Sequence, residues 1–119
     1  MKKSILLFAL SIGILTLSAC HSYHVEATVE NRTGQPLQLL EVQYPSASFG
    51  ANSMAAGETL HYRFQILGQG QLKVHYWTGP GHQIETVIPG PDLHEKQEGT
   101  LQIILNPNGK ADFFTHLNQ

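Results

Sequence analysis

The chain has 119 residues, too few for two ordinary domains. Charged residues are 13% of it, about half the usual ~25%, while the apolar share is 41%, a balance that argues against a disordered polyelectrolyte. A formal charge of −2 excludes a strongly basic nucleic-acid binder, and a single cysteine excludes an intrachain disulfide framework and a Cys-rich zinc site.

The chain opens Met1-Lys2-Lys3-Ser4 and continues as an apolar run from Ile5 to Leu17, interrupted by Ser11, Gly13 and Thr16. A positive start before a 13-residue apolar stretch predicts a secretory signal helix over residues 1–19, cleaved from the mature protein. The stretch falls short of the ~20 apolar residues needed to span a bilayer. It also lacks a polar face at the helical period, so a buried N-terminal helix would need apolar cover on every side.

The segment ends Leu17-Ser18-Ala19-Cys20, which resembles the lipobox of bacterial lipoproteins. The resemblance implies cleavage before Cys20, a diacylglyceryl thioether on that residue and, usually, acylation of the new terminus. No other cofactor is expected. One acyl chain binds a membrane marginally, whereas two or three anchor stably. Processing would leave 100 residues without a free thiol, and five Lys and Arg against nine acids give −4. That sign disfavours docking onto an anionic leaflet by charge. In lipoproteins of Gram-negative bacteria an Asp after the cysteine signals retention in the inner membrane. Here that residue is His21, which implies the outer membrane, facing the periplasm. Residues 20–23 form a short tether to a domain spanning 24–119.

From Tyr23 the apolar period becomes two. Val25, Ala27 and Val29 alternate with His24, Glu26, Thr28 and Glu30, predicting a half-buried strand. Asn31-Arg32-Thr33-Gly34-Gln35-Pro36 is a dense turn signal. Leu37 to Tyr44 is the second strand, with a phase slip at Leu39-Leu40 that predicts a bulge or a change of face. Pro45 to Gly57 reads as a loop of small residues. Thr59–Ile66 and Gln71–Trp77 alternate on either side of Leu67 to Gly70 and read as a hairpin. After the turn Thr78 to Gly81, Gln83 to Ile88 reads as a shorter strand, and Pro89 to Gly99 as the longest polar connection. Asn106-Pro107-Asn108-Gly109 joins the last two strands, Asn-Gly being a strong hairpin signal.

Seven or eight strands with frequent turns and no convincing helix predict an all-β sandwich or small barrel. The expected core is Val25, Ala27, Val29, Leu37, Leu39, Val42, Leu60, Tyr62, Phe64, Ile66, Leu72, Val74, Tyr76, Ile84, Leu101, Ile103, Leu105 and one of Phe113 and Phe114. The stretches Val29 to Leu37, Ala56 to Leu60 and Gly68 to Tyr76 resemble compact immunoglobulin-like domains of bacterial envelope proteins. That resemblance implies an antiparallel immunoglobulin-like β-sandwich and carries no activity.

Histidine is the enriched residue type, with seven copies: His21, His24, His61, His75, His82, His94 and His116. Under the hairpin reading His61 lies beside His75, with Glu85 the nearest third ligand. This is the candidate metal set, weighed against plain surface histidines. Trp77 takes the outward phase with Lys73 and His75. It is either a partner-binding anchor or cover for one end of the sandwich. Asn31-Arg32-Thr33 matches a glycosylation sequon but reads as a turn.

Hydrolytic and phosphate-binding motifs are missing: there is no Gly-x-Ser-x-Gly elbow and no His-Glu-x-x-His. Ser46, Ser48 and Ser53 lie beside no identifiable His/Asp pair, and Asp92, His94 and Glu95 read as solvated loop charge. The sequence thus predicts a non-enzymatic envelope lipoprotein. It would be held to the membrane by its lipid and serve as an interaction or accessory module for an envelope protein partner. A periplasm-facing His-based metal binder is the alternative.

Overall fold

The computed structural model describes residues 22–118. The predicted signal helix over 1–19, the lipidation site Cys20 and His21 lie outside the described residues. Eight strands follow one another: β1 Val25–Asn31, β2 Leu37–Tyr44, β3 Ala47–Met54, β4 Thr59–Phe64, β5 Gly70–Thr78, β6 Ile84–Leu93, β7 Glu98–Asn106 and β8 Lys110–Asn118. They form two four-stranded sheets with orders β4-β1-β7-β8 and β3-β2-β5-β6. The fold is an all-β sandwich, as the alternation predicts. One neighbour pair departs from the antiparallel pattern: β1 runs parallel to β7, with Val29 opposite Ile103.

The core fills the space between the sheets. Val25, Val29, Leu37, Val42, Leu72, Val74, Ile103 and Leu105 are completely buried. Each such side chain contributes roughly 1.5–3 kcal/mol relative to exposure. Four members of the expected core, apart from the phenylalanine pair, are not fully buried. Leu39 is exposed and Leu40 is buried in its place. Leu39 takes φ 50°, and the β2–β5 register breaks between Gln38 and Glu41. The extra residue turns the leucine at 39 outward. Leu60 packs only partly buried against the core. Tyr62, on an edge strand, stays half exposed, and Ile84, beside the β5–β6 turn, is exposed. Of the phenylalanine pair, Phe113 packs against the core and Phe114 points out. Phe49, Met54, Ile88, Leu93 and Ile104 join the buried set.

Two segments expected to be loops are strands. β3 occupies most of 45–57. A two-residue hairpin at Pro45-Ser46 returns the chain along β2, Tyr44 lying opposite Ala47. Ser46 adopts φ 80° there, a conformation usually supplied by glycine, so the turn carried no glycine signal. β6 continues through Pro89 and Pro91 to Leu93. It is an edge strand, where a missing N–H breaks no ladder on the solvent side. Its register against β5 slips between Gln71 and Lys73.

The expected hairpin between the fourth and fifth strands does not exist. β4 pairs with β1 and β5 pairs with β2 and β6, so residues 65–69 cross from one sheet to the other. Ile66, 2% exposed, plugs the core within this crossing.

An aromatic cluster closes one side of the sandwich. Tyr44 stacks on Phe64 at 4.1 Å between ring centroids, and Phe49 stacks on Tyr62 at 4.5 Å. At one end of the sandwich the buried polar residue Asn31 ties four segments together. Its Nδ2 donates to the carbonyl oxygens of Gln35 at 2.9 Å, Met54 at 3.3 Å and Ala55 at 3.0 Å. Its Oδ1 accepts from the Thr33 amide at 3.1 Å and the Thr33 hydroxyl at 2.6 Å. Its own amide donates to Glu58 O, and its carbonyl accepts from Gly57 N. The side chain is sealed from solvent, which supports reading the Asn-Arg-Thr triplet as a turn. Gly50 is the second local constraint. A Cβ there would overlap the carbonyl oxygen of Leu40 on the neighbouring strand β2.

Three outcomes test this construction. Asn31→Leu should lower stability by about 3 kcal/mol, because it strands buried carbonyls. The exposed neighbour change Arg32→Ala should stay within about 0.5 kcal/mol, both read by urea unfolding. Gly50→Ala should cost about 2 kcal/mol or more, since the clash is with backbone that cannot rotate away. The third concerns alkaline pH. Burial pushes the Tyr76 phenol above its ordinary value of 10.0, against a smaller opposing effect of its hydrogen bond with Thr86, and burial raises Tyr44 likewise, helped by Tyr62. A raised folded-state value means that the folded chain holds its protons more tightly. Stability is therefore full below the unfolded value and falls as pH climbs from there through the folded value. Tyr76→Phe should flatten that alkaline decline in pH-dependent thermal melts; an unchanged slope would contradict it.

Candidate interaction surface

The alternation of β5 decides which side chains face outward. Leu72, Val74 and Tyr76 point into the core, so Lys73, His75 and Trp77 point out. Lys73 is exposed, and His75 and Trp77 are half-buried. The Trp77 ring meets the His75 ring edge-on at 5.7 Å. His75 Nε2 lies 3.1 Å from Glu85 Oε2 on β6. Trp77 is flanked by Gln38 on β2 and Glu85 on β6, and His75 by Glu41 and Val87. Val87 is 51% exposed and Leu39 is 58% exposed. Leu39 lines an open groove of about 580 Å³ with Glu41, Ser48, Gly50 and Asn52. The outer face of the β3-β2-β5-β6 sheet thus presents a tryptophan and two exposed aliphatic side chains, with Lys73, Glu41 and Glu85 around them.

The candidate metal set is not brought together. His75 and Glu85 are neighbours, but His61 stands on β4 opposite Thr28, in the other sheet. The physical reason is the crossing at 65–69, which separates β4 from β5. No group of three His, Cys, Asp or Glu side chains among the described residues has the arrangement to hold a metal ion.

A second cluster forms where the chain enters the sandwich, and the sequence reading did not assemble it. Arg63 on β4 lies opposite Glu26 on β1, which lies opposite Thr100 on β7, which lies opposite His116 on β8. These four residues form one row across the outer face. Arg63 Nε is 3.2 Å from Glu26 Oε1, and Arg63 Nη2 is 3.3 Å from His24 Nδ1. The Ser22 hydroxyl is 3.1 Å from the same His24 nitrogen. Ser22, His24, Glu26, Arg63 and His116 line an open groove of about 760 Å³. Both carboxylate and guanidinium of the ion pair are well exposed, so it contributes little to stability. The signal was present in the alternation of β1 and β4. Recovering it required the β1–β4 pairing, which the assumed hairpin had replaced.

Trp77 and Ser22, the first described residue, lie at opposite ends of the domain. β1 starts at Val25 beside the groove at the chain entrance and ends at Asn31. The turn from Asn31 leads into β2, whose second residue, Gln38, pairs with Trp77. Thr33 and Gln35 share a cleft with Tyr76 and Thr78 at that far end. The seven residues of β1 set the separation at roughly 20 Å at ~3.4 Å per residue. No protein-family model matches the chain, and no significant match exists among curated proteins or solved structures.

Proposed function

We propose that the chain is a membrane-anchored envelope lipoprotein of the outer membrane with a periplasm-facing domain. It acts without catalysis, as an interaction or accessory module at the membrane surface. The observation that carries this reading is the spacing between the lipobox cysteine and the folded domain. From Cys20 to His24 is four residues, and the His24 carbonyl is already bonded to Gly99 N at 3.2 Å. At ~3.5 Å per residue the tether reaches roughly 14 Å. A lipid on Cys20 would hold the entrance groove against the headgroups and raise the Trp77 face roughly 20 Å further out, along β1. A partner on this reading is an envelope protein that rises beside the membrane, met by Trp77, Leu39 and Val87, with Lys73 at the rim. A half-buried tryptophan on a rigid sheet suits an interface anchor, because little rotamer entropy is lost on contact.

Two measurements test the proposal. Cys20→Ala should move the protein out of the membrane fraction; a variant that stays membrane-bound would overturn the anchor. A photo-crosslinking amino acid at Trp77 should capture an envelope protein in native membranes, whereas one at Gln102 on the opposite sheet should not. Equal capture from both faces, or none from Trp77, would overturn the assigned face.

A further inference from the structure

Four strands lie at sheet edges: β4 and β8 in one sheet, β3 and β6 in the other. An edge strand offers unpaired N–H and C=O groups to any other chain, and folded proteins blunt such edges with charge, proline or irregular register. Three of these edges are blunted. β4 carries His61 and Arg63. β6 carries Glu85, Pro89, Pro91 and Asp92, with a register break. β8 carries Lys110 and Asp112. β3, Ala47–Met54, has no charged residue and no proline along its eight positions.

The strand is held firmly from within and is open from without. Phe49 and Met54 are buried, and Phe49 stacks on Tyr62 of β4. Ala47, Ser48, Gly50, Asn52 and Ser53 are exposed. For Gly50 exposure means exposure of the backbone itself. The outer edge of β3 pairs with no strand among the described residues.

We infer that two copies of the chain pair antiparallel through β3, joining two β3-β2-β5-β6 sheets into one eight-stranded sheet. Charge selects a second copy as the occupant. The described residues hold five Lys and Arg against nine Asp and Glu, a net −4, so copies repel one another wherever charged surfaces meet. β3 is the edge at which no charged side chain enters the contact, so two copies can meet there without like-charge repulsion. Antiparallel pairing of identical strands is satisfied by a two-fold axis, which makes the contact self-complementary without further design. Ala47, Ser48, Gly50, Ala51 and Ser53 are small enough to let the two backbones approach. The nearest acidic residue, Glu41 on β2, would stand three strand spacings from its counterpart, about 14 Å. That exceeds the screening length of about 8 Å at physiological salt. The pairing would place both copies of Leu39 and Trp77 on one continuous face. It does not depend on the lipid anchor.

The test uses the full chain in intact cells, wherever it resides there, with a photo-crosslinking amino acid at Ser48, and at Lys110 on the β8 edge as control. The expected result is a product of twice the chain mass from Ser48 and none from Lys110, lost in the Asn52→Lys variant. Co-expression of two differently tagged copies should give pull-down of one by the other, also lost in Asn52→Lys. A thermal melt of that variant within a few degrees of the parent separates loss of pairing from loss of fold. Should the variant unfold, the crosslink and pull-down of the parent chain decide alone. Absence of a doubled-mass product, equal yield from Ser48 and Lys110, or capture at Ser48 of a different protein would each overturn the inference.

Discussion

Much of the molecule rests on one buried amide. Asn31 has no exposed surface, and its side chain meets three carbonyl oxygens and two Thr33 donors. Apolar burial is non-directional and would tolerate several ways of laying one sheet on the other. A buried amide is not tolerant, because each unmatched polar group costs about 1–3 kcal/mol. By gathering the end of β1, the turn into β2, the end of β3 and the start of β4, Asn31 fixes how the two sheets meet at that end. Arg32 N, bonded to Leu105 O at 2.8 Å, adds the end of β7 to the same knot. Once that end is set, the alternation of each strand decides what faces out. Trp77 is outside because Tyr76 is inside.

Six strands were legible in the sequence: β1, β2, β4, β5, β7 and β8 fall where Val25, Leu37, Thr59, Leu72, Leu101 and the Asn108-Gly109 turn put them. What failed had specific causes. β3 is made largely of small residues and is entered through Ser46 at positive φ, so neither its turn nor its body carried the usual signature. β6 contains two prolines, which bar a central strand and are harmless at an edge; the sequence could not say which it was. The crossing at 65–69 resembles a hairpin turn in composition, and only the pairing of β4 with β1 distinguishes them. Leu39 and Leu40 were recognised as a slip, but the residue that turns outward depends on the positive φ at Leu39.

The candidate site was legible in part for the same reasons. The outward direction of Trp77, His75 and Lys73 follows from alternation within one strand, and it was right. The nearness of His61 to His75 required knowing which strands pair, and it was wrong. Leu39, Val87 and the row of Arg63, Glu26, Thr100 and His116 are properties of neighbouring strands, invisible until the register is known. Local periodicity determines the face of a side chain, whereas topology determines its company.

Anchor and domain combine into one mechanical picture. On the proposed reading a short tether would fix the entrance end, where Ser22, His24 and Arg63 lie, and the sandwich would carry the Trp77 face at the other end. The Cys20 modification is the claim on which this picture stands. The direct measurement is the intact mass of the protein purified from membranes. The account predicts a chain beginning at Cys20 and heavier than its sequence by a diacylglyceryl group, with or without a further acyl chain. A chain that retains Met1, or one that carries an unmodified Cys20 thiol, would contradict it.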